Sequence, residues 1–157
     1  MRKTIFNRGP GDVLSTDQSW LDLESLAHVE ITSEDSLHPI ESALISGRGP
    51  GWLAASPGEQ IVRLLFDKPL KLRRIHLLFC EDQQERTQEF VLRWSPDRGE
   101  SYREIVRQQY NFSPLGATRE VEDYRVDLDG ATTLELRIVP DVRGGSAHCA
   151  LAEFFLA

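Results

Sequence analysis

Ile61-Val62-Arg63-Leu64-Leu65-Phe66 is the stretch that decides the fold, because its apolar side chains recur at every second position. Val62, Leu64 and Phe66 fall on one face of a strand, and Arg63 lies on the other face. The same period of two recurs at residues 75–79, 90–94, 124–128, 134–138 and 152–156. Antiparallel sheets with one face toward water have this pattern, so the chain is predicted to be all-β.

Turn-forming residues separate these segments. They are Asp67-Lys68-Pro69, Ser95-Pro96-Asp97-Arg98-Gly99 and Asp129-Gly130, and a longer loop is expected at residues 140–146. Only a short segment, Ile40 to Ile45, is predicted to be helical. About eight short strands with turns between them are typical of a β-sandwich or a β-barrel.

The length of the chain supports a single core. A protein of 157 residues buries about 70% of the surface that its unfolded chain exposes, which is enough for one domain. We expect residues 28–157 to form this domain, after an N-terminal arm and lead-in at residues 1–27. Trp20, Trp52 and Trp94 are predicted to belong to the core, because a buried indole contributes much apolar area.

The charge balance and the lengths of the apolar runs argue against nucleic-acid binding, a membrane span and a secretory signal. Lys and Arg number 18 against 25 Asp and Glu, so the net charge is −7. Binding nucleic acid by phosphate neutralisation needs a basic face, and this composition argues against it. No apolar run approaches the roughly 18 residues of a membrane span. Residues 1–10 lack the apolar segment of a secretory signal, so we expect a cytoplasmic location.

The spacing of reactive residues does not indicate catalysis. His76 and Cys80 would lie about 13 Å apart on a strand, too far to share a metal. Acidic pairs are interpreted as solvated strand ends, since 25 acidic residues produce such pairs by chance. Cys80 and Cys149 are predicted to be buried small hydrophobes, and a disulfide between them is left open. We therefore predict no enzyme activity and no cofactor.

Several segments resemble one known family. Residues 51–60, GWLAASPGEQ, directly precede the strand at residues 61–66 and are similar to the opening of discoidin domains, also called coagulation factor V/VIII type C domains. Further segments are similar to the family's motifs in the same order, at residues 72–80, 90–102, 134–140 and 150–156. The resemblance implies a galactose-binding-like jelly-roll β-sandwich of about eight antiparallel strands over residues 28–157, with ligands bound by loops at one end.

The resemblance also raises the question of a structural calcium ion, which many sugar-binding relatives hold. Glu153 stands at the position of the family's glutamate ligand. Arg48, in the loop at residues 46–51, stands where an acidic ligand would be expected. Calcium requires about six to eight oxygen ligands, so a site built on Glu153 is possible but not favoured.

Candidate ligand-binding residues are loop residues that could stack on a sugar or hydrogen-bond its hydroxyl groups. They are His38, Arg48, Arg86, Tyr110, Asn111, Phe112 and Arg143. The segment at residues 108–114 is predicted to be a loop with two aromatic side chains. An alternative reading is that Tyr110 and Phe112 close the end of the sandwich as a minor core.

Two classes of function follow from the resemblance. The first is a non-catalytic binding module whose loops recognise a glycan or a similar polar ligand. The second is an intracellular protein-interaction or scaffold domain of the same fold, because Trp52 to Glu59 is similar to a segment of a DNA-repair scaffold. The fold alone does not decide between them.

Overall fold

A computed structural model of the protein describes residues 19–157. In chain order its elements are α1 (Leu23–Leu26), β1 (Ala27–Ile31), α2 (Glu41–Leu44), β2 (Trp52–Pro57), β3 (Gln60–Cys80), β4 (Arg86–Ser95), β5 (Arg103–Phe112), β6 (Arg119–Val139), β7 (His148–Leu151) and β8 (Glu153–Leu156). The predicted helix at residues 40–45 is confirmed as α2. Within the described residues, no helix is long and apolar enough to cross a membrane.

Six of the eight strands form two layers, as predicted for an all-β jelly-roll sandwich, and β2 and β7 form a separate two-stranded ribbon. The first layer contains β1, residues 60–66 of β3, residues 133–139 of β6, β4 and β5. The second layer contains β8, residues 70–80 of β3 and residues 119–131 of β6. All these pairings are antiparallel. Phe79 of the second layer and Phe90 of the first have ring centroids 5.4 Å apart, so the two inner faces pack directly against each other.

Two of the predicted turns are bends within continuous strands. The register between β3 and β6 shifts between Leu65 and Leu70, where residues 67–69 were expected to end a strand. Gly130 lies opposite this bend in β6 and has φ of 77°. Strands that pass from one layer of a sandwich to the other do so at such irregularities. The prediction of separate strands at these positions was therefore wrong.

The core lies between the layers and contains the alternating apolar residues that the sequence indicated. Trp52 and Trp94 are buried in it, which confirms their predicted role. Trp20 does not belong to the core. Its half-buried indole lies on the outer face of the second layer, with centroids 5.7 Å from His76 and 5.5 Å from Phe155.

The N-terminal boundary of the domain differs from the expected one. Residues 1–18 of the predicted arm lie outside the described residues. Leu23 of α1 is buried in the core, and the Leu21 N–H donates to the Leu156 carbonyl oxygen at 2.8 Å. The lead-in from Leu21 onward is therefore integrated into the sandwich, because its leucines cover one edge of the core.

The two cysteines have different environments. Cys149 is buried, as predicted, whereas Cys80 is exposed at the end of β3, and both are free thiols. Burial raises the pKa of the Cys149 thiol to about 12. Cys149 therefore behaves as a small core residue, while Cys80 lies on the surface described next.

Candidate functional site

An open groove of about 730 Å³ lies at one end of the sandwich. One wall is formed by the end of β3 and the residues that follow it, Glu81 to Gln84. The ribbon of β2 and β7 forms the other wall, with Leu53 and His148. Thr118 and Arg119, at the start of β6, complete the lining. A concave surface therefore lies at one end of the sandwich, but none of the seven predicted ligand-binding residues lines it.

The wall at residues 81–84 is held in shape by the carboxylate of Glu81. Its Oε2 accepts the backbone N–H of Gln83 at 2.9 Å and that of Gln84 at 3.3 Å. Its Oε1 accepts Arg86 Nε at 2.7 Å. Burial tends to raise the pKa of the Glu81 carboxyl, but these hydrogen bonds outweigh it and the pKa lies below its usual value. Glu81 is therefore an ionised structural residue beside the exposed side chains of Asp82, Gln83 and Gln84.

The wall at β2 and β7 presents an imidazole of defined tautomer. His148 Nδ1 lies 3.0 Å from the carbonyl oxygen of Ala54. Because a carbonyl oxygen only accepts, Nδ1 carries the proton and Nε2 of the neutral ring is an acceptor. Asp35 lines the groove beside this wall, and the hydrogen bond from His38 Nδ1, 2.8 Å long, lowers the pKa of Asp35.

Arg119 supplies the cation of the groove. It makes no ion pair with any residue in the described part of the chain, whereas most other arginines there are paired. Its backbone carbonyl oxygen accepts the Tyr110 hydroxyl at 2.9 Å, which fixes the start of β6 against β5. The guanidinium is therefore a donor available to a ligand.

Five of the seven predicted ligand-binding residues lie in two groups. Arg86, Tyr110 and Phe112 lie together behind the groove: Arg86 Cζ is 4.8 Å from the Phe112 ring centroid, and the two aromatic rings are 4.9 Å apart. Asn111 and Arg143 lie around Thr87, on the same end of the molecule: Asn111 Oδ1 accepts the Thr87 hydroxyl, and the neighbouring Val142 N–H donates to the Thr87 carbonyl oxygen.

The remaining two predicted residues lie apart from each other. His38 adjoins the groove through Asp35. Arg48 does not line the groove, and its guanidinium pairs with Glu24 at 3.2 Å. His38 thus supports the groove indirectly, and Arg48 belongs to a surface near α1.

The expectation of loop positions was wrong for several of these residues. Residues 108–112 are the end of β5, not a loop. Arg86 begins β4 and only 1% of its surface is exposed, and Phe112 is fully buried. Both side chains point between the layers because they share the strand parity of the core residues. For Phe112, the alternative reading as a minor core at the sandwich end is confirmed.

The groove contains polar residues that the sequence reasoning did not select: Asp82, Gln83, Gln84, Arg119 and His148. A signal for the first three was present, because a run of polar residues follows directly on the apolar strand that ends at Cys80. Arg119 and His148 come from distant parts of the chain, and only the fold brings them to the same groove.

The donor set does not fit the calcium ion that the family resemblance suggested. Glu153 Oε1 lies 2.8 Å from His76 Nε2, so this carboxylate is already occupied by an imidazole. Among residues 19–157, no group of three or more acidic, His or Cys side chains is arranged to hold a metal ion. Glu153 is therefore better described as the partner of His76 on the outer face of the second layer.

We predict that calcium does not stabilise the protein. Thermal unfolding in millimolar calcium and then in excess chelator should give the same midpoint, because ligand-linked stabilisation requires binding to the folded state. The matched control is magnesium at equal ionic strength. A midpoint that rises with calcium alone and falls with chelator would contradict this prediction.

The groove can hydrogen-bond a ligand from several directions. Arg119 and the two glutamine amides donate, while the Asp82 carboxylate and His148 Nε2 accept. No Trp, Tyr or Phe is among the described residues that line the groove. The site is therefore suited to a compact ligand with many hydroxyl groups, recognised by hydrogen bonds rather than by stacking on an aromatic face.

Comparison with known proteins shows which solved structures share this fold. Neither a protein-family model nor a curated protein matches the chain. A family 32 carbohydrate-binding module from a family 31 glycoside hydrolase of Clostridium perfringens is similar, with a TM-score of 0.63 and 19% identity over 87% of this chain and 93% of that one. The family 32 module of C. perfringens NanJ, solved with galactose, has a TM-score of 0.62 and 15% identity over 85% and 95%.

A pectin-binding carbohydrate-binding module is also similar, with a TM-score of 0.58 and 20% identity over 83% of this chain and 89% of that one. At these identities the similarity shows the fold alone. It confirms the expected β-sandwich fold.

Proposed function

We propose that the protein is a non-catalytic carbohydrate-binding module and that the sugar occupies the groove at the end of the sandwich. The observation that carries the proposal is the groove itself, which combines an open shape with exposed donors and acceptors on facing walls. Two of the similar solved structures support the proposal, since one contains galactose and the other is a pectin-binding module.

Each groove residue has a separate role in this proposal. The Arg119 guanidinium and the amides of Gln83 and Gln84 donate to sugar oxygens, and Asp82 accepts from sugar hydroxyl groups. His148 Nε2 accepts a further hydroxyl. The predicted residues His38 and Arg86 hold the walls through Asp35 and Glu81, so they act one step away from the ligand.

Two of the three carboxylates that line the groove argue against glycoside hydrolysis. A glycosidase needs one carboxylic acid whose pKa is raised, so that it can protonate the leaving group. The pKa values of Asp35 and Glu81 are instead lowered, by His38 for the first and by Arg86 and backbone N–H groups for the second. Both are ionised and already engaged, which favours binding without catalysis.

We predict that Asp82→Ala weakens sugar binding at least about tenfold, because a hydrogen bond to a charged group contributes roughly 1.5–3 kcal/mol. A glycan array first identifies the sugar, and isothermal titration then compares the variants. Asp127→Ala is the matched control, since Asp127 is an exposed carboxylate paired with Lys71 on β3. Equal affinity for the wild type and Asp82→Ala would exclude Asp82 from the site. An array without any saturable binding would contradict the proposed function.

The protein-interaction domain remains the second candidate because of two exposed leucines beside the groove. Leu37 is 79% exposed on the turn that joins Asp35 to His38. Leu115 is 99% exposed on the turn that precedes Thr118. Exposed apolar side chains near a groove can contact a protein partner. A glycan array without saturable binding, together with a discrete protein partner whose binding is lost in Leu37→Ser and Leu115→Ser, would favour this candidate.

The cytoplasmic location stays a prediction.

A further inference from the structure

A chain of buried polar side chains runs from the groove wall into the interior. Glu81 Oε1 accepts Arg86 Nε at 2.7 Å, and Arg86 Nη1 donates to Gln88 Oε1 at 3.1 Å. Gln88 Nε2 then donates to Glu120 Oε1 at 3.1 Å. Arg86, Gln88 and Glu120 are all buried. The shape of the groove wall is therefore linked by direct contacts to a carboxyl group that no ligand can reach.

The second oxygen of Glu120 lacks a donor. Glu120 is 1% exposed, and its Oε2 is the one buried side-chain oxygen or nitrogen in the described chain without a hydrogen-bond partner. The Glu122 carboxyl group interacts with it and is itself an acceptor when ionised. Two ionised carboxylates in contact repel each other, and a single proton between them removes the repulsion and satisfies Oε2.

We propose that Glu120 and Glu122 share one proton, and that loss of this proton loosens the groove wall by drawing Arg86 away from Glu81. The protonated pair leaves Arg86 to Glu81. The ionised pair adds a buried negative charge on the far side of Gln88, and the Arg86 cation is then attracted from both directions. The consequence for ligand binding rests on the proposed function, whereas the movement of the wall does not.

Burial and the contact with Glu122 raise the pKa of Glu120 to about 8. Two other groups near the pair, Tyr124 and Cys149, have raised pKa values as well. Burial also raises the pKa of the Tyr124 hydroxyl, which donates to Glu122 at 3.2 Å. Cys149, on β7 near the Arg86 guanidinium, has a pKa of about 12. Tyr110 of β5 hydrogen-bonds the carbonyl oxygen of Arg119, next to Glu120.

The sign of the pH dependence follows from the direction of this shift. The folded protein holds the proton above the ordinary value of 4.5, up to about pH 8. The unfolded chain releases it near that ordinary value, so the stabilising contribution is complete at low pH and is lost as the pH rises toward 8. Stability should therefore decline from about pH 4.5 to about pH 8 and level off above it, whereas the groove wall should loosen around pH 8, where the folded protein loses the proton.

The first test measures the groove wall at residues 81–84 in the absence of any ligand. Backbone amide resonances of Gln83 and Gln84 are recorded from pH 6 to pH 9, together with the thermal midpoint. In the wild type we expect the amide shifts to titrate with an apparent midpoint near 8, and the thermal midpoint to fall up to about pH 8 and then level off. Both should be nearly constant in Glu120→Gln and in Glu122→Gln. Glu104→Gln is the control, because Glu104 is an exposed carboxylate paired with Arg107 on β5. It should titrate like the wild type.

Sugar binding supplies the second readout. If the proposed function holds, affinity should fall at least about fivefold between pH 7 and pH 9 in the wild type, the lower end of typical coupling between sites, and stay constant in Glu120→Gln. Amide shifts that titrate without any sugar binding would contradict the proposed function and leave the switch supported. Groove amides that do not titrate, or that titrate equally in both Gln variants, would overturn the switch.

Discussion

Replacement of Arg86 with methionine should destabilise the protein by about 3–5 kcal/mol, the usual cost of removing one partner from a buried ion pair. The guanidinium donates to Glu81, to Gln88 and to the carbonyl oxygen of Pro140, at 2.7, 3.1 and 2.8 Å. Methionine can fill the space but supplies no donor. The Glu81 carboxylate would then remain mostly buried with its strongest partner lost, which denaturant unfolding at pH 7 should report.

The destabilisation should arise because Arg86 is buried, and not merely because a positive charge is lost. Arg143→Met is the control, since Arg143 lies at the same end of the molecule but its side chain is 59% exposed. Such surface substitutions usually change stability by no more than about 0.5 kcal/mol. Adding Glu81→Gln to Arg86→Met should recover part of the loss, because the unpaired charge is removed. Equal effects of Arg86→Met and Arg143→Met would contradict the buried ion pair.

The strands could be predicted from sequence because alternation reports which face of a strand is buried. The pattern of residues 61–66 and 75–79 matches the inner faces of the two halves of β3. The bend between the halves could not be predicted in this way. Residues 67–69 are typical of a turn whether or not the strand ends there. β3 is continuous only because the segments before and after residues 67–69 both pair with β6. Local chemistry thus locates the corner but does not say whether the strand ends there.

The alternation of residues along β4 indicated that Arg86 is buried, but its charged side chain led to the prediction that it is exposed in a loop. Phe90, Leu92 and Trp94 alternate on the inner face of β4, and the same parity extended backwards places Gln88 and Arg86 on that face. A charged residue there requires partners, and these come from residues 81, 88 and 140. Because the partners meet only in the folded protein, the sequence indicated Arg86 as important but assigned it to the wrong surface.

The groove was the least predictable part of the molecule. Gln83 and Gln84 follow a strand directly, but Arg119 and His148 enter from strands far along the chain. No local pattern distinguishes these two residues from other surface side chains. The layered fold alone brings β6 and β7 to the same end, so the site could be predicted as an end of the sandwich but not residue by residue.

Replacement of Gly51 with alanine should cost about 3 kcal/mol or more, from backbone strain together with overpacking. A Cβ at this position would lie 2.6 Å from the Leu151 carbonyl oxygen and 2.7 Å from Ala152 Cα, and φ is +112°. Both obstacles are backbone atoms at the junction of β7 and β8, so they cannot rotate away, and the groove wall formed by β2 and β7 would shift as well. Gly58→Ala, with φ of +87° and open space around it, should show only the smaller cost of strain, and Gly116→Ala almost none. Thermal and denaturant unfolding of the three variants checks this order, and a Gly51→Ala protein as stable as Gly116→Ala would contradict the close approach of the two chain segments.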